Sequence, residues 1–191
     1  MIIDCVIDWQ NFIPELDLAN IGSVLQYSGS LTQLLNNYAS QEQLTLDLKL
    51  LKQDFCQPSQ LESERLNLSQ EINILQRIIV MSVNHDKPWL YARSYFTPEG
   101  VAYLGSDLLN LGNNSLGSVI ANFDNSRVHR NHFEYGHVSL SEILNKNLDK
   151  YFGYNNLLAR RSLFILDNKQ ILFNLDEVFL PALINKLIKI N

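Results

Sequence analysis

Apolar and polar positions alternate along two long stretches of this chain, and a period of two predicts strands. Within Glu71–Met81, the residues Leu75, Arg77, Ile79 and Met81 share one face. Within Ile171–Pro181, the residues Ile171, Phe173, Leu175, Glu177 and Phe179 do the same. Strand patterns over 71–83 and 87–97 flank Asn84-His85-Asp86, and those over 157–166 and 170–180 flank Asp167-Asn168-Lys169. Both arrangements read as hairpins. Leu44, Leu46, Leu48 and Leu50 mark a half-buried strand, and 126–135 reads as another, which makes about six strands.

The remaining segments read as helices and loops. Residues 1–40 suggest helical pieces, with Leu31, Leu34 and Leu35 on one side of a helix that Ser30 would N-cap. The polar stretch 56–70, with Pro58, reads as a loop. Two short helices are expected over 100–110 and 114–122, punctuated by Gly105, Gly112 and Gly117. An amphipathic helix is expected over 138–152, with Leu140, Ile143, Leu144 and Leu148 apolar, and a short amphipathic tail over 183–190. Strands joined by hairpins and short helices predict an α+β fold: a single antiparallel sheet with helices covering one face.

Composition narrows the class. The 191 residues are 46% hydrophobic, enough for one domain over 1–191 with a substantial core. A net charge of -5 and a pI near 5.3 carry none of the basic footprint of a nucleic-acid binder. Cys5 and Cys56 have no metal-type spacing, so a reducing intracellular compartment is the default and a disulfide the alternative. The start, Met1–Asp8, is too short and too acidic for a signal peptide. No apolar run reaches the roughly 18 residues of a membrane span, so a soluble protein is expected.

Chemistry enters where charge interrupts an apolar face. A lone buried charge is costly and needs a partner or a ligand. Arg77 and Glu177 each sit on such a face, so together they suggest a pocket for a small anion. A guanidinium grips a carboxylate with two parallel hydrogen bonds. A glutamic acid in an apolar pocket has a raised pKa and can hold and deliver a proton near neutral pH. The alternative is a structural salt bridge between neighbouring strands. Leu111–Val119, with its small residues, could bring backbone N–H groups to an anion, or form a plain turn between helices. Arg160 and Arg161 face opposite ways in a strand, and periodicity does not choose between them. Arg93 shares a face with Trp89, Tyr91 and Tyr95, where stacking and ligand contact are both open. His129, His132 and His137, near Arg127 and Arg130, lack a metal-binding spacing and read as ordinary strand and loop histidines.

These blocks, in this order, resemble the chorismate pyruvate-lyase (4-hydroxybenzoate synthase) family, with a flavour of its cyanobacterial and red-algal plastid branch. The resemblance covers most of residues 20–182. It rests on Gly29-Ser-Leu-Thr32, Arg77 followed by Lys87-Pro-Trp-Leu-Tyr-Ala-Arg-Ser94, Leu111-Gly-Asn-Asn-Ser-Leu-Gly117, Arg160-Arg-Ser162 and Glu177-Val-Phe-Leu-Pro181. It implies helical flaps over a buried ligand pocket. It also implies a carbon-oxygen lyase that removes pyruvate from chorismate, leaving 4-hydroxybenzoate for plastoquinone- or ubiquinone-type quinone biosynthesis. Carried over residue by residue, it makes Arg77 the ring-carboxylate grip and Glu177 the catalytic acid. Leu31 and Leu116 become flap contacts to the ligand, and Arg93, Arg160 or Arg161 the aid to the second carboxylate. It implies no metal or redox cofactor, no nucleic-acid partner, and a monomer in the cytoplasm or, if plastid-encoded, the stroma. Departures are Ser115 in place of a flap proline, Leu158-Ala159 in place of Trp-Gly, and an insertion over 138–152. The competing expectation is a non-catalytic aromatic-acid sensor on the fold of GntR-type ligand-binding domains.

Overall fold

The computed structural model describes residues 7–10, 19–122, 127–138 and 157–189. Seven strands form one antiparallel sheet: β1 (Ile7–Gln10), β2 (Leu46–Cys56), β3 (Ile74–Val83), β4 (Lys87–Phe96), β5 (Val128–Val138), β6 (Leu157–Leu166) and β7 (Ile171–Phe179). Their order across the sheet is β1-β5-β6-β7-β4-β3-β2. The six expected strands are present, and β1 is an addition. It lies in the segment read as helical, and four residues are too few for a period to show. It pairs with β5, with Ile7 opposite Val138.

Both expected hairpins form. Asn84 and His85 take left-handed conformations, φ 49° and 65°, between β3 and β4. Between β6 and β7 the turn is closed by Leu166 N donating to Gln170 O at 2.9 Å, with Lys169 at φ 67°. Six helices complete the described structure: α1 (Ala19–Leu25), α2 (Leu31–Gln41), α3 (Gln60–Leu66), α4 (Pro98–Leu109), α5 (Leu116–Asn122) and α6 (Pro181–Lys189). Ser30 caps α2 as expected, its hydroxyl accepting from Gln33 N at 3.3 Å. The stretch 56–70 is not a plain loop, because it contains α3. Ser59 and Glu62 form a reciprocal capping box there, the Ser-x-x-Glu signal of a helix start. The amphipathic pattern at 138–152 lies outside the described residues except for Val138, which ends β5.

Alternation sorts the sheet into two buried faces. On one, α1, α2 and α6 pack Ile21, Leu25, Leu35, Leu183 and Leu187 against Met81, Leu90 and Phe179. Further along the same face, α4 and α5 pack Leu104, Leu108 and Val119 against Leu75, Phe96, Phe164 and Phe173. A cavity remains between these two groups of helices. Its floor includes Ala92 and Ser94, short side chains that leave space above the strands. Helices do not cover one face alone, since α3 packs Leu66 with Ile74, Tyr95 and Leu163 on the other.

The entry of α4 onto the sheet is tight. Thr97 caps the helix, accepting from Gly100 N at 2.9 Å and donating to Ile171 O at 2.9 Å. A Cβ on Gly100 would lie 2.0 Å from Leu172 O. Gly100→Ala is therefore expected to push α4 off β7 and destabilise the protein by about 1–3 kcal/mol or more, as overpacking does. Urea denaturation would check it. Unchanged stability would mean that α4 shifts at no cost.

Candidate functional site

The cavity has a volume of about 440 Å³, within the usual range for small-molecule sites. It is lined by Ser28–Gln33 at the start of α2, by Leu116, Gly117 and Ile120 of α5, and by the sheet below. The two helix starts meet at its mouth, where a Cβ on Gly117 would stand 3.1 Å from Ser30 Oγ. Leu31 and Leu116, expected as flap contacts, both line the cavity.

Register places the charged residues. Glu177 of β7 lies opposite Ala92 of β4 on one side and Arg160 of β6 on the other. The neighbouring row pairs Arg93, Asp176 and Arg161 on the opposite face. Arg77 of β3 lies opposite Ser94, which lies opposite Leu175. Arg77 and Glu177 therefore line the same cavity face, but β4 separates their strands. The salt bridge between neighbouring strands is ruled out by this order, and the two are not bonded to each other.

Arg77 is instead tied to the loop ahead of α5. Its Nη1 donates to Gln53 Oε1 at 2.7 Å, and its Nη2 donates to Gly112 O at 2.7 Å and Asn114 O at 3.0 Å. The loop thus offers carbonyls to Arg77, where the sequence suggested that its amides could meet an anion. Burial pushes the Arg77 guanidinium down to about 10, still charged at neutral pH.

Glu177 is 3% exposed and held by two other arginines. Arg160 Nε and Arg130 Nη2 each donate to Glu177 Oε2 at 2.6 Å. Among the described residues, Glu177 Oε1 takes part in no hydrogen bond. Burial alone pushes the Glu177 carboxyl up, but Arg160 and Arg130 outweigh it and hold the group below its ordinary value. This corrects the expectation of a raised pKa, which counted the apolar face and missed the partners. Arg160 reaches back to the end of α1, with Nη1 donating to Leu25 O at 2.9 Å and Tyr27 O at 2.6 Å. Arg130 Nη1 donates to Gly29 O at 3.2 Å, so both arginines also fix the segment that leads into α2.

Of the three arginines offered for a second carboxylate, Arg160 is on the cavity side and the other two are not. Arg93 Nη2 donates to Asp176 Oδ2 at 3.1 Å on the opposite face, with Arg93 5.7 Å from the Tyr95 ring. Arg161 Nε donates to Glu134 Oε2 at 2.8 Å, and its guanidinium lies 4.5 Å from the Trp9 ring. Arg65 of α3 joins this network by pairing with Glu134. Burial pushes the Asp176 carboxyl up there despite Arg93. The residue missed by sequence reasoning is Arg130, which lines the cavity. The signal existed: Val128 and Arg130 alternate, again a charge on an apolar strand face. Grouping Arg130 with the nearby histidines hid it, as did the break in register between Asn131 and Glu134.

Fold and site together define an α+β domain with a cavity lined by Arg77, Arg130 and Glu177 beneath two helix starts. The fold is similar to that of the effector domain of PhnF from Mycobacterium smegmatis, with a TM-score of 0.55 and 11% identity over 80% of this chain and 89% of that one. It is also similar to a GntR-family transcriptional regulator from Bacillus cereus, with a TM-score of 0.56 and 12% identity over 71% and 92%. The family model described as Chorismate lyase matches residues 9–189, and the chain belongs to that family. Relatives include the probable chorismate pyruvate-lyase of Idiomarina loihiensis, 33% identical over 157 residues, 82% of this chain and 76% of that one. The chorismate pyruvate-lyase of Pectobacterium atrosepticum is 29% identical over 175 residues, 92% and 85% of the two chains.

Removing Glu177 leaves Arg130 and Arg160 without their shared counter-charge. Glu177→Ala is expected to cost about 3–5 kcal/mol of folding stability, the usual penalty for breaking a buried pair. Because the native pKa is depressed, this contribution is fully present above the ordinary glutamate value. It is lost as pH falls through the lower native one. Urea titrations of both proteins at neutral pH and near pH 3 should show the gap closing with acid, and a gap independent of pH would contradict the assignment.

Proposed function

We propose that the chain is a chorismate pyruvate-lyase, which eliminates pyruvate from chorismate to give 4-hydroxybenzoate and so acts as a carbon-oxygen lyase. The observation that carries this is the placing of Arg77 and Glu177 on one face of one cavity, beneath the helix starts that bear Leu31 and Leu116. The names of its relatives support it. Likeness to effector domains is one of fold, and it does not favour the non-catalytic aromatic-acid sensor. The reading extends to a single-domain monomer without a nucleic-acid partner and to a quinone precursor as product. The relatives named above are bacterial, and the plastid or cyanobacterial branch, with a stromal or cytoplasmic location, belongs to the proposal.

Chorismate carries a ring carboxylate, a hydroxyl-bearing carbon with one hydrogen, and an enolpyruvyl ether on the adjacent ring carbon. Loss of that hydrogen as a proton lets its electron pair become a ring double bond while the neighbouring carbon–oxygen bond breaks. The oxygen leaves with that bond's electron pair as the enolate of pyruvate, and the ring becomes aromatic. The protein has to bind, orient and move a proton. In this reading Arg77 holds the ring carboxylate. Glu177, ionised at rest with Oε1 unbonded among the described residues, accepts the ring proton and then returns it to the methylene carbon of the enolate, which completes pyruvate. The negative charge passes from Glu177 to the enolate oxygen within reach of the same two guanidiniums, so little charge has to be created. Glu177 is thus an acceptor first and a donor second, not an acid at rest.

Purified protein with chorismate should yield 4-hydroxybenzoate by chromatography. Glu177→Gln should lower kcat about 10²–10⁴-fold, the usual scale for a lost acid–base group. Arg77→Ala should chiefly raise KM. For the wild type, kcat/KM should stay level through neutral pH and fall only below the ordinary glutamate range of about 4.3. An acid form active up to pH 6 would instead restore the resting-acid role. No product from folded protein stripped of ligand would sink the lyase reading.

A further inference from the structure

The cavity carries more positive charge than its own carboxylate balances. Arg77 and Arg130 line it, and Arg160 is bonded to Glu177, the one carboxylate among the described lining residues. Three guanidiniums against one carboxylate leave two positive charges over. Uncompensated charge in a largely apolar space is costly unless an occupant supplies its opposite. The surplus suits a dianion better than a monoanion.

Strand order says where the two charges of that dianion would go. Glu177 lies on β7, two strands from Arg77 on β3 and two from Arg130 on β5. At about 4.8 Å per strand, the two arginine backbones stand roughly 19 Å apart, with side chains entering one cavity from opposite sides. Arg130 is fixed in place. Its Nε donates to Ser162 Oγ at 2.9 Å, and its guanidinium lies 5.1 Å from the Phe133 ring and 5.3 Å from the Phe164 ring. A guanidinium has five N–H groups. The bonds to Ser162, Gly29 and Glu177 use three, leaving one N–H on each terminal nitrogen of Arg130 unbonded among the described residues. Arg160 Nη2 beside it also lacks a hydrogen-bond partner there.

We propose that Arg130 is the second anion grip of this site, holding the far carboxylate of a dicarboxylate whose first carboxylate Arg77 holds. The substrate's identity rests on the lyase reading above, in which the far group is the enolpyruvyl carboxylate. This assigns to Arg130 the role that the sequence offered to Arg93, Arg160 or Arg161. Arg93 and Arg161 lie on the other face of the sheet. Arg160 is committed to Glu177 and the end of α1, and Arg130 lines the cavity itself. It also separates substrate from product: the dianion spans both grips, and each monoanion left after elimination engages one.

Titration calorimetry with two synthetic ligands tests this without turnover. One is 3-(carboxymethoxy)-4-hydroxybenzoate, and the other is its amide, 3-(carbamoylmethoxy)-4-hydroxybenzoate, which lacks only the second charge. Wild-type protein should bind the dicarboxylate at least tenfold more tightly than the amide. Arg130→Gln should weaken the dicarboxylate at least tenfold more than it weakens the amide or 4-hydroxybenzoate, which removes the wild-type difference between the two synthetic ligands, and Arg130→Lys should restore part of it. Equal wild-type affinity for both ligands would overturn the proposal even if Arg130→Gln failed to fold. So would equal losses for dicarboxylate, amide and 4-hydroxybenzoate in the variant, which would make Arg130 only a support for Glu177. A wild type that discriminates between the ligands yet forms no 4-hydroxybenzoate from chorismate would sink the lyase reading and leave the grip standing.

Discussion

The buried carboxylate of Glu177, shared at one oxygen between Arg130 and Arg160, is the interaction on which the rest of the cavity depends. Burial works against its charge, and two guanidiniums reverse that. The same guanidiniums hold the carbonyls of Leu25, Tyr27 and Gly29, so the charge of Glu177 and the position of the segment before α2 are one arrangement. On the other flank Arg77 does the matching work, pinning Gly112 and Asn114 ahead of α5. The cations that would meet a ligand are thus the cations that hold the two helix starts above it.

The sheet supplies this arrangement through register. A period of two puts Glu177 and Arg160 on the cavity face, and the adjacent residues Asp176 and Arg161 on the other. The second face is a buried charge network in its own right, with Arg93, Asp176, Asn174, Arg65 and Glu134 joined by hydrogen bonds. One Arg-Arg pair in the sequence therefore serves two environments. A shift of one residue in register would exchange them and would bury the wrong charges in each.

Much of this was legible. The two hairpins, the cap at Ser30 and the shared face of Arg77 with Glu177 each rest on a local rule, and local rules survive folding. What failed was pairing. The chain brings Glu177 together with Arg130, 47 positions away, and with Arg160 on an adjacent strand, and no periodicity within one segment names a partner in another. The raised pKa expected for Glu177 failed for that reason: an apolar face predicts desolvation, but the sign of the shift belongs to the neighbours. The polar composition and Pro58 of 56–70 read as a loop, whereas Ser59 and Glu62 close a capping box there and start the helix at 60–66.

By itself, then, the sequence determined the antiparallel α+β architecture, a net charge of -5, and the presence of an acid and a base on buried faces, since all three follow from composition and period. Tertiary structure alone decided that β4 stands between Arg77 and Glu177, that Arg93 and Arg161 leave the cavity, and that Arg130 enters it. The physical reason is that a strand's alternation fixes which side chains share a face. Which faces and which charges meet is fixed by the order of strands across the sheet, through contacts between residues far apart in the chain.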